Sequence, residues 1–245
     1  MKRCIAKLVA PRTFEFFEEE IPALGDNEML VKTICTGLCH SDLPPWMGTG
    51  CTVINKNGYD AMTSEVPYPY SIGHEPMGVV EAVGKGIKNF REGDVVSGMI
   101  YSSFATHCIA TEAISVKVTS EPGRVCLAEP LMCVANIARI ASPEFGDAVA
   151  VVGCGFMGLM TIMALNSPAI RELVAIDLQD DRLELAKKYG ATRTINPAKE
   201  DVEDMAFKYS GGSLFDVVVE ISGGLHGLDT ALAIAHIAEI GRAHV

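Results

Sequence analysis

Side chains that can ligate a metal ion lie in three short segments of the sequence. They are residues 39–42 (CHSD), residues 73–75 (GHE) and Glu129. Thiolate, imidazole and carboxylate are the ligands of a catalytic zinc that keeps one position open for water or substrate. Zinc at such a site acts as a Lewis acid on a carbonyl or alkoxide oxygen. On spacing alone, a cysteine such as Cys39 is more often a buried small hydrophobe than a metal ligand.

A second set of residues predicts a dinucleotide-binding turn. An apolar strand at residues 148–152 leads into a glycine-rich turn and an apolar helix. The glycines allow the tight turn, the close approach of a pyrophosphate and the packing of helix on strand. The predicted cofactor-binding residues of the turn are Gly153, Gly155, Phe156, Met157 and Gly158. Asp177 ends the next apolar run, where its carboxylate can accept hydrogen bonds from ribose hydroxyls and repel a 2′-phosphate, which predicts NAD.

The elements that would position these residues change in character along the chain. Residues 2–118 show short strand-like runs broken by Gly and Pro, a pattern typical of an irregular β domain of barrel type. From about residue 124, helical spacing and then alternating strands and helices indicate an α/β domain with a parallel sheet. We predict a β domain at residues 1–122 and a nucleotide-binding domain at residues 123–245.

A long stretch rich in Gly, Pro and Tyr, residues 43–71, interrupts the β domain. Little periodicity is visible, so we predict a loop. Two interpretations remain open: the stretch shapes or covers the substrate pocket, or it is an inert surface loop.

Charge and cysteine usage restrict the partners. The net charge is −11 and no Lys/Arg cluster is visible, which disfavours nucleic acid and anionic membranes. Neither a signal peptide nor an apolar run of membrane-spanning length is recognisable. The charge balance therefore favours small molecules as partners. Eight cysteines without C-x-x-C pairs predict reduced thiols and a cytoplasmic protein.

In order along the chain, CHSD, GHE, the run at 78–84, GDVV, EPL and VVGCGFMG resemble the zinc-dependent medium-chain dehydrogenase/reductase family, the alcohol dehydrogenase superfamily. The Glu129-Pro130 pair resembles the polyol (sorbitol) and threonine dehydrogenase branch. The resemblance covers nearly the whole chain. It implies a GroES-like β-barrel domain followed by a Rossmann domain, a doubly wound parallel sheet.

The resemblance also implies roles for the metal-capable residues. It assigns one catalytic zinc to Cys39, His74, Glu75 and Glu129, with either glutamate able to exchange with water. For Glu75 the alternative is a carboxylate that never touches the metal. Because the four-cysteine lobe of many relatives is missing from the sequence, we predict no structural zinc.

Further roles follow from the same resemblance. The predicted catalytic residues are Ser41, Asp42 and Glu75. Ser41 would relay the substrate proton, although a turn hydroxyl is the alternative, and Asp42 would orient the histidine ligand. His40 would line the cofactor pyrophosphate, and Arg182 would lie beside the adenosine ribose. Structural roles are expected for His107, His226 and His236.

The implied reaction is hydride transfer between a secondary alcohol or polyol and NAD, with the alkoxide held on zinc. The carbonyl product would be the substrate of the reverse reaction, and the parent protein is expected to be a homodimer or homotetramer. Two alternatives remain: a zinc-free reductase of the quinone reductase type, and a protein that binds NAD without turnover.

The end of the chain departs from the family pattern. We count fewer strands than a doubly wound dinucleotide domain contains, and on the order of 100 residues are expected to be missing. Residues 240–245 back-translate into a sequence that resembles a sequencing adapter. We therefore expect the polypeptide to be a truncated gene fragment with an artefactual end.

Overall fold

A computed structural model of the chain describes residues 1–54, 60–119, 121 and 123–236. The chain divides into two units, Met1–Pro130 and Leu131–Val245. This division lies inside a helix, whereas the sequence places a domain boundary after residue 122. The predicted artefact at residues 240–245 lies outside the described residues.

The first unit is built mainly from antiparallel strands. In chain order its elements are β1 (Lys2–Ala10), β2 (Thr13–Glu20), β3 (Glu28–Thr36), α1 (Leu43–Met47), β4 (Cys51–Ile54), β5 (Asp60–Thr63), β6 (Tyr70–Ser71), β7 (Pro76–Val83), β8 (Val95–Gly98), β9 (His107–Thr111) and β10 (Ser115–Lys117). The strand orders of its sheets are β2-β1-β6, β10-β8-β7-β3-β9 and β4-β5. The irregular β architecture predicted for this part of the chain is confirmed.

Apolar side chains from neighbouring strands form the interior of this unit. Met29 and Val31 on β3, Val80 on β7 and Val96 on β8 are at most 1% exposed. Ile100, Cys108 and Ala110 complete the same cluster. Met29 and Val31 are two residues apart, the spacing at which a strand returns to the same face.

The pairing of β3 with β7 brings distant parts of the sequence together. The strands are antiparallel, and Thr36 at the end of β3 lies opposite Pro76 at the start of β7. The Gly37 N–H donates to the Glu75 carbonyl at 2.9 Å and so continues the pairing beyond the strands. The segments that follow β3 and precede β7 therefore meet at one edge of the sheet.

The stretch at residues 43–71 contains regular elements, so the prediction of a loop was wrong there. Its proline pair lies in α1, where Pro is tolerated in the first turn. Gly48 ends this helix with φ 76°. Strands β4 and β5 form a two-stranded antiparallel sheet, and the Tyr70 hydroxyl donates to the Thr52 carbonyl at 2.8 Å. Residues 55–59 of this stretch lie outside the described residues.

The second unit alternates strands with helices. Its elements are α2 (Ala128–Ala141), which begins in the first unit, then β11 (Ala148–Val152), α3 (Phe156–Leu165), β12 (Glu172–Ile176), α4 (Asp180–Lys188), β13 (Arg193–Ile195), α5 (Val202–Tyr209), β14 (Val217–Glu220) and α6 (Leu225–Ile234). The strands are parallel in the order β13-β12-β11-β14. This is the beginning of the doubly wound order and confirms the predicted Rossmann-type sheet.

Helices cover both faces of the parallel sheet, which explains why every residue of β11 is buried. Val149 and Val151 belong to a cluster with residues of α2, α3 and α4. Ala148, Ala150 and Val152 belong to a second cluster with residues of α5 and α6. Beyond α6, Ala235 forms a parallel bridge with Phe215, and the His236 N–H donates to the Phe215 carbonyl at 3.0 Å.

Among the residues that the structure describes, no helix combines the length and apolar character needed to cross a bilayer. The eight cysteines are thiols, of which Cys51, Cys108 and Cys154 are buried.

Phe215 tests the importance of the second cluster. Its side chain is fully buried, so we expect Phe215→Ala to lower the free energy of unfolding by about 3–5 kcal/mol, from lost burial and the cavity left behind. Phe207→Ala is the control because that ring is 57% exposed, and its change is expected to stay within about 0.5 kcal/mol. Urea denaturation of the three proteins measures both values, and equal losses would contradict the assignment of Phe215 to the core.

Candidate metal centre and nucleotide cavity

Three of the predicted metal ligands lie together in the first unit. The Cys39 thiol, a ring nitrogen of His74 and a carboxylate oxygen of Glu75 are all within 4.8 Å of one another. Glu75 is buried, and the other two side chains are half-buried. Within the described ranges, this is the one group of at least three His, Cys, Asp or Glu side chains close enough to hold a metal ion.

Asp42 connects the two segments that carry this cluster. Its buried carboxylate accepts the Cys39 N–H at 3.1 Å and the Gly73 N–H at 3.0 Å, and it lies 3.6 Å from Nδ1 of His74. Burial raises the pKa of Asp42, but contact with His74 and these backbone donors outweighs burial, so the net pKa is lowered. The Asp42 carboxylate in turn raises the pKa of His74 to about 9. The contact holds the Nδ1 edge of the imidazole in place.

Two buried glutamates differ in their distance from the cluster. Burial raises the pKa of Glu75 above its usual range, and the charge of Glu129 adds to the rise, while a hydrogen bond with Cys39 opposes it. Glu129 lies in the first turn of α2, whose Ala128 N–H donates to the Ser97 hydroxyl at 2.8 Å. Glu129 faces the same cavity as His74 but is not in the group within 4.8 Å. The geometry thus places Glu75 nearer than Glu129 to the thiol and imidazole.

A cavity of about 530 Å³ opens beside the cluster. Ser41, Asp42, His74 and Glu129 line it, and the Ser41 hydroxyl lies 3.4 Å from Nε2 of His74. Further hydroxyl groups in the wall come from residues that the sequence did not single out, namely Thr52, Tyr70, Ser71, Tyr101 and Ser102. Three of them belong to the Gly-, Pro- and Tyr-rich stretch, which therefore forms part of the cavity wall. The unusual composition of this stretch was the sequence feature that could have pointed to these wall residues.

Two histidines of the first unit lie outside the cluster. His40 is exposed at the start of a single 3₁₀ turn, His40–Asp42, and its predicted contact with the cofactor stays a prediction. His107 on β9 lies 3.1 Å from a carboxylate oxygen of Glu81 on β7 of the same sheet, and its structural role stays a prediction.

The glycine-rich turn of the second unit connects β11 to α3. Gly153 has φ 97°, a conformation that favours glycine, and a Cβ at this position would lie 2.6 Å from Cα of Ser222. A Cβ on Gly158 would collide with the Gly153 carbonyl. Phe156 and Met157 lie in the first turn of α3. Neither residue lines the cavity beside this turn. Close packing thus explains two of the glycines.

Asp177 stabilises this turn from the neighbouring strand. Its carboxylate accepts the Cys154 N–H at 2.7 Å and the Gln179 N–H at 2.9 Å. The Arg182 guanidinium lies 3.7 Å from the same carboxylate. The predicted ribose-binding acid and its basic neighbour are therefore adjacent, and the acid also fixes the backbone of the glycine-rich turn.

A cavity of about 410 Å³ lies along this edge of the parallel sheet. Gly153, Gly155, Asp177 and Arg182 line one part of it. The other part is formed by residues after β14 that sequence reasoning missed, among them Ser222, Gly224, Leu225, His226, Gly227 and Thr230. His226 is one of these residues, so it faces the nucleotide cavity, whereas the sequence predicted only a structural role for it. A second glycine pair directly after a buried strand was the signal that could have identified this segment.

Comparison with known proteins places the chain in a family. The family described as alcohol dehydrogenase GroES-like domain matches residues 25–138, and the family described as zinc-binding dehydrogenase matches residues 157–245. The L-threonine 3-dehydrogenase of Chromobacterium violaceum is 30% identical over 251 residues, which cover 90% of this chain and 70% of the relative. The chain belongs to the zinc-type medium-chain dehydrogenases. The dehydrogenase is therefore an oxidoreductase of the alcohol dehydrogenase type.

Solved structures show the same fold. The dehydrogenase resembles 2R,3R-butanediol dehydrogenase from Bacillus subtilis with a TM-score of 0.77 and 23% identity, over 96% of this chain and 75% of that one. It also resembles a quinone oxidoreductase from Pseudomonas syringae with a TM-score of 0.76 and 21% identity, over 96% of this chain and 71% of that one. Fold similarity alone therefore does not separate the alcohol reaction from the quinone reaction.

Substitutions at the glycine-rich turn separate folding from binding. We expect Gly153→Ala to destabilise the dehydrogenase by at least about 1–2 kcal/mol, because φ is positive and the new methyl group would meet Ser222. Gly155→Ala is the matched control, since Gly155 has φ −69° and open space around it. Its stability is expected to stay within about 0.5 kcal/mol, while NADH affinity falls because the methyl group blocks approach of the pyrophosphate. Thermal denaturation measures stability, and NADH titration measures cofactor affinity. Equal melting temperatures for Gly153→Ala and Gly155→Ala would contradict the packing argument.

Proposed function

We propose that the dehydrogenase transfers a hydride between a secondary alcohol or polyol and NAD at a catalytic zinc held by Cys39, His74 and Glu75. The observation that carries this proposal is the placement of these three ligand types within 4.8 Å of one another beside a cavity. Thiolate, imidazole and carboxylate fit an open catalytic zinc site. Glu129, buried at the same cavity, is the candidate for the exchanging ligand.

Residues around the cluster account for the movement of the proton. Bound zinc would supply the Lewis acidity that favours loss of the substrate hydroxyl proton. Ser41 is exposed, lines the cavity and lies close to His74, so its hydroxyl can accept that proton and pass it to solvent. Asp42 faces Nδ1 of His74 and thereby leaves Nε2 as the ligand atom.

The cavity wall supports an alcohol or polyol substrate. Hydroxyl groups that line it can donate and accept hydrogen bonds to several substrate hydroxyls at once. The Tyr70 hydroxyl stays protonated over the ordinary pH range, because burial raises its pKa to about 12. A relative named L-threonine 3-dehydrogenase and a fold neighbour named butanediol dehydrogenase agree with a small alcohol.

The cofactor cavity supports NAD. Asp177 is held in place by two backbone N–H groups, and its carboxylate can still accept ribose hydroxyls while repelling a 2′-phosphate. The single zinc, the homodimer or homotetramer and the cytoplasmic location remain predictions.

Two alternatives make different demands on the same residues. A zinc-free reductase of the quinone reductase type shares the fold but has no use for a thiol, imidazole and carboxylate placed together. A protein that binds NAD without turnover would use the nucleotide cavity alone. Zinc dependence of turnover distinguishes the three functions.

Removal of zinc is the first test. We expect a chelator to abolish alcohol oxidation and added zinc to restore it, because the Lewis acid is lost and returned. Cys39→Ala is expected to lose most of its zinc, whereas Cys4→Ala, an exposed cysteine on β1, should retain it. Metal analysis and NADH production measure both effects. Unchanged turnover after chelation would support the zinc-free reductase, and NADH binding without turnover in the zinc-loaded protein would support the binding protein.

Asp177 tests the cofactor assignment. We expect Asp177→Asn to lower the ratio of kcat/KM for NAD to that for NADP by on the order of 10-fold or more, because the charge that repels the 2′-phosphate is removed. Asp181→Asn, an exposed residue in the first turn of α4, is the control and should leave the ratio unchanged. If Asp177→Asn also leaves it unchanged, the ribose carboxylate is misassigned.

A further inference from the structure

Glu220 is a buried acid that lies outside the glycine-rich turn and has no role in the proposed reaction. It ends β14 after three valines and is 7% exposed. A buried carboxylate is costly unless it is hydrogen-bonded. Its Oε1 accepts the Ser222 N–H at 2.8 Å and also pairs with the Ser222 hydroxyl. Glu220 thus binds both donors of one residue two positions further along the chain.

Ser222 is the point at which the two turns of the nucleotide cavity meet. Its hydroxyl accepts the Gly224 N–H at 3.2 Å, and the residue lines the cavity. The Ser222 backbone is so close to Gly153 that an added Cβ would lie 2.7 Å from the Ser222 nitrogen. Any shift of Ser222 therefore changes the space beside the glycine-rich turn.

Gly227 on α6 also lies close to Glu220 and Ser222. A Cβ added at Gly227 would lie 2.5 Å from Oε1 of Glu220 and would collide with the Ser222 hydroxyl. Glu220, Ser222 and Gly227 are therefore packed without room for a methyl group. We call these three residues the Ser222 anchor.

Strand order indicates which half of the cofactor the anchor serves. The sheet has β12, β11 and β14 side by side. Asp177 follows β12 and would bind the adenosine ribose, while the turn after β11 would bind the pyrophosphate. A dinucleotide bound in this way would cross the sheet edge from β12 to β14, so its nicotinamide half would lie towards the segment after β14.

We propose that Glu220 is a positioning residue for the nicotinamide half of the cofactor and acts through Ser222. The proposal rests on the proposed function, since it requires a dinucleotide in this cavity. Glu220 itself would not touch the cofactor. It would keep the segment after β14 at the distance from the glycine-rich turn that a bound dinucleotide needs.

Three variants test this role in the full chain. Glu220→Met keeps the length of the side chain but removes the acceptor, so we expect the Kd for NADH to rise at least 10-fold while the Kd for AMP stays within 2-fold. Glu220→Gln retains an acceptor oxygen, and its Kd for NADH should lie nearer to wild type than to Glu220→Met. Glu203→Met, an exposed residue of α5, is the matched control. Isothermal titration with NADH and with AMP measures all values.

AMP separates positioning from general damage, because it occupies only the half of the cavity beside Asp177. Equal weakening of NADH and AMP in Glu220→Met would overturn the proposal and leave a structural role. An unchanged Kd for NADH would also overturn it. If Glu220→Met does not fold, Ser222→Ala decides: the proposal requires weaker NADH binding with unchanged AMP binding. If the wild-type chain binds neither ligand, the proposed function fails instead.

Discussion

The antiparallel pairing of β3 with β7 is the constraint on which the metal cluster depends. Cys39 and His74 are far apart in sequence, and they meet because Thr36 lies opposite Pro76. A shift of one residue in this register would turn the side chains of one strand to the other face. The interior valines of both strands oppose such a shift, because it would expose them. The hydrophobic core of the first unit therefore sets the geometry of a polar site at its edge.

The parallel sheet of the second unit works by a related rule. Parallel strands end at the same edge, so the segments after β11, β12 and β14 converge there although helices separate them in sequence. Backbone N–H groups at this edge are satisfied by acids: Asp177 accepts two of them, and Glu220 accepts that of Ser222. Each acid binds a neighbouring backbone turn. The glycines allow close approach, and the carboxylates hold the approaching segments in place.

Local signals explain what could be predicted from the sequence. The glycine-rich turn and Asp177 were recognisable because strand, turn and helix follow one another directly, and the structure places Gly153, Gly155 and Asp177 at one cavity. The metal-capable residues came from three separated segments, and only their resemblance to a family related them. The segment after β14 was missed because its place beside Gly153 depends on strand order, and the glycine pair that follows the strand was the one local signal for it. The β4–β5 pair was missed because short strands in a Gly- and Pro-rich stretch carry little periodicity.

Concentrated negative charge favours a dication at the first site. Asp42, Glu75 and Glu129 are all buried, and the Cys39 thiol lies beside one of them. Buried carboxylates require compensating positive charge or protons. The pKa values of His74 and Glu75 are raised, so bound protons would supply part of this compensation without a metal. A zinc ion at Cys39, His74 and Glu75 would supply the same charge in one place and release those protons. The buried carboxylates that oppose folding would therefore favour metal binding. Asp42 accepts two backbone N–H groups and would keep its negative charge beside Nδ1 of His74.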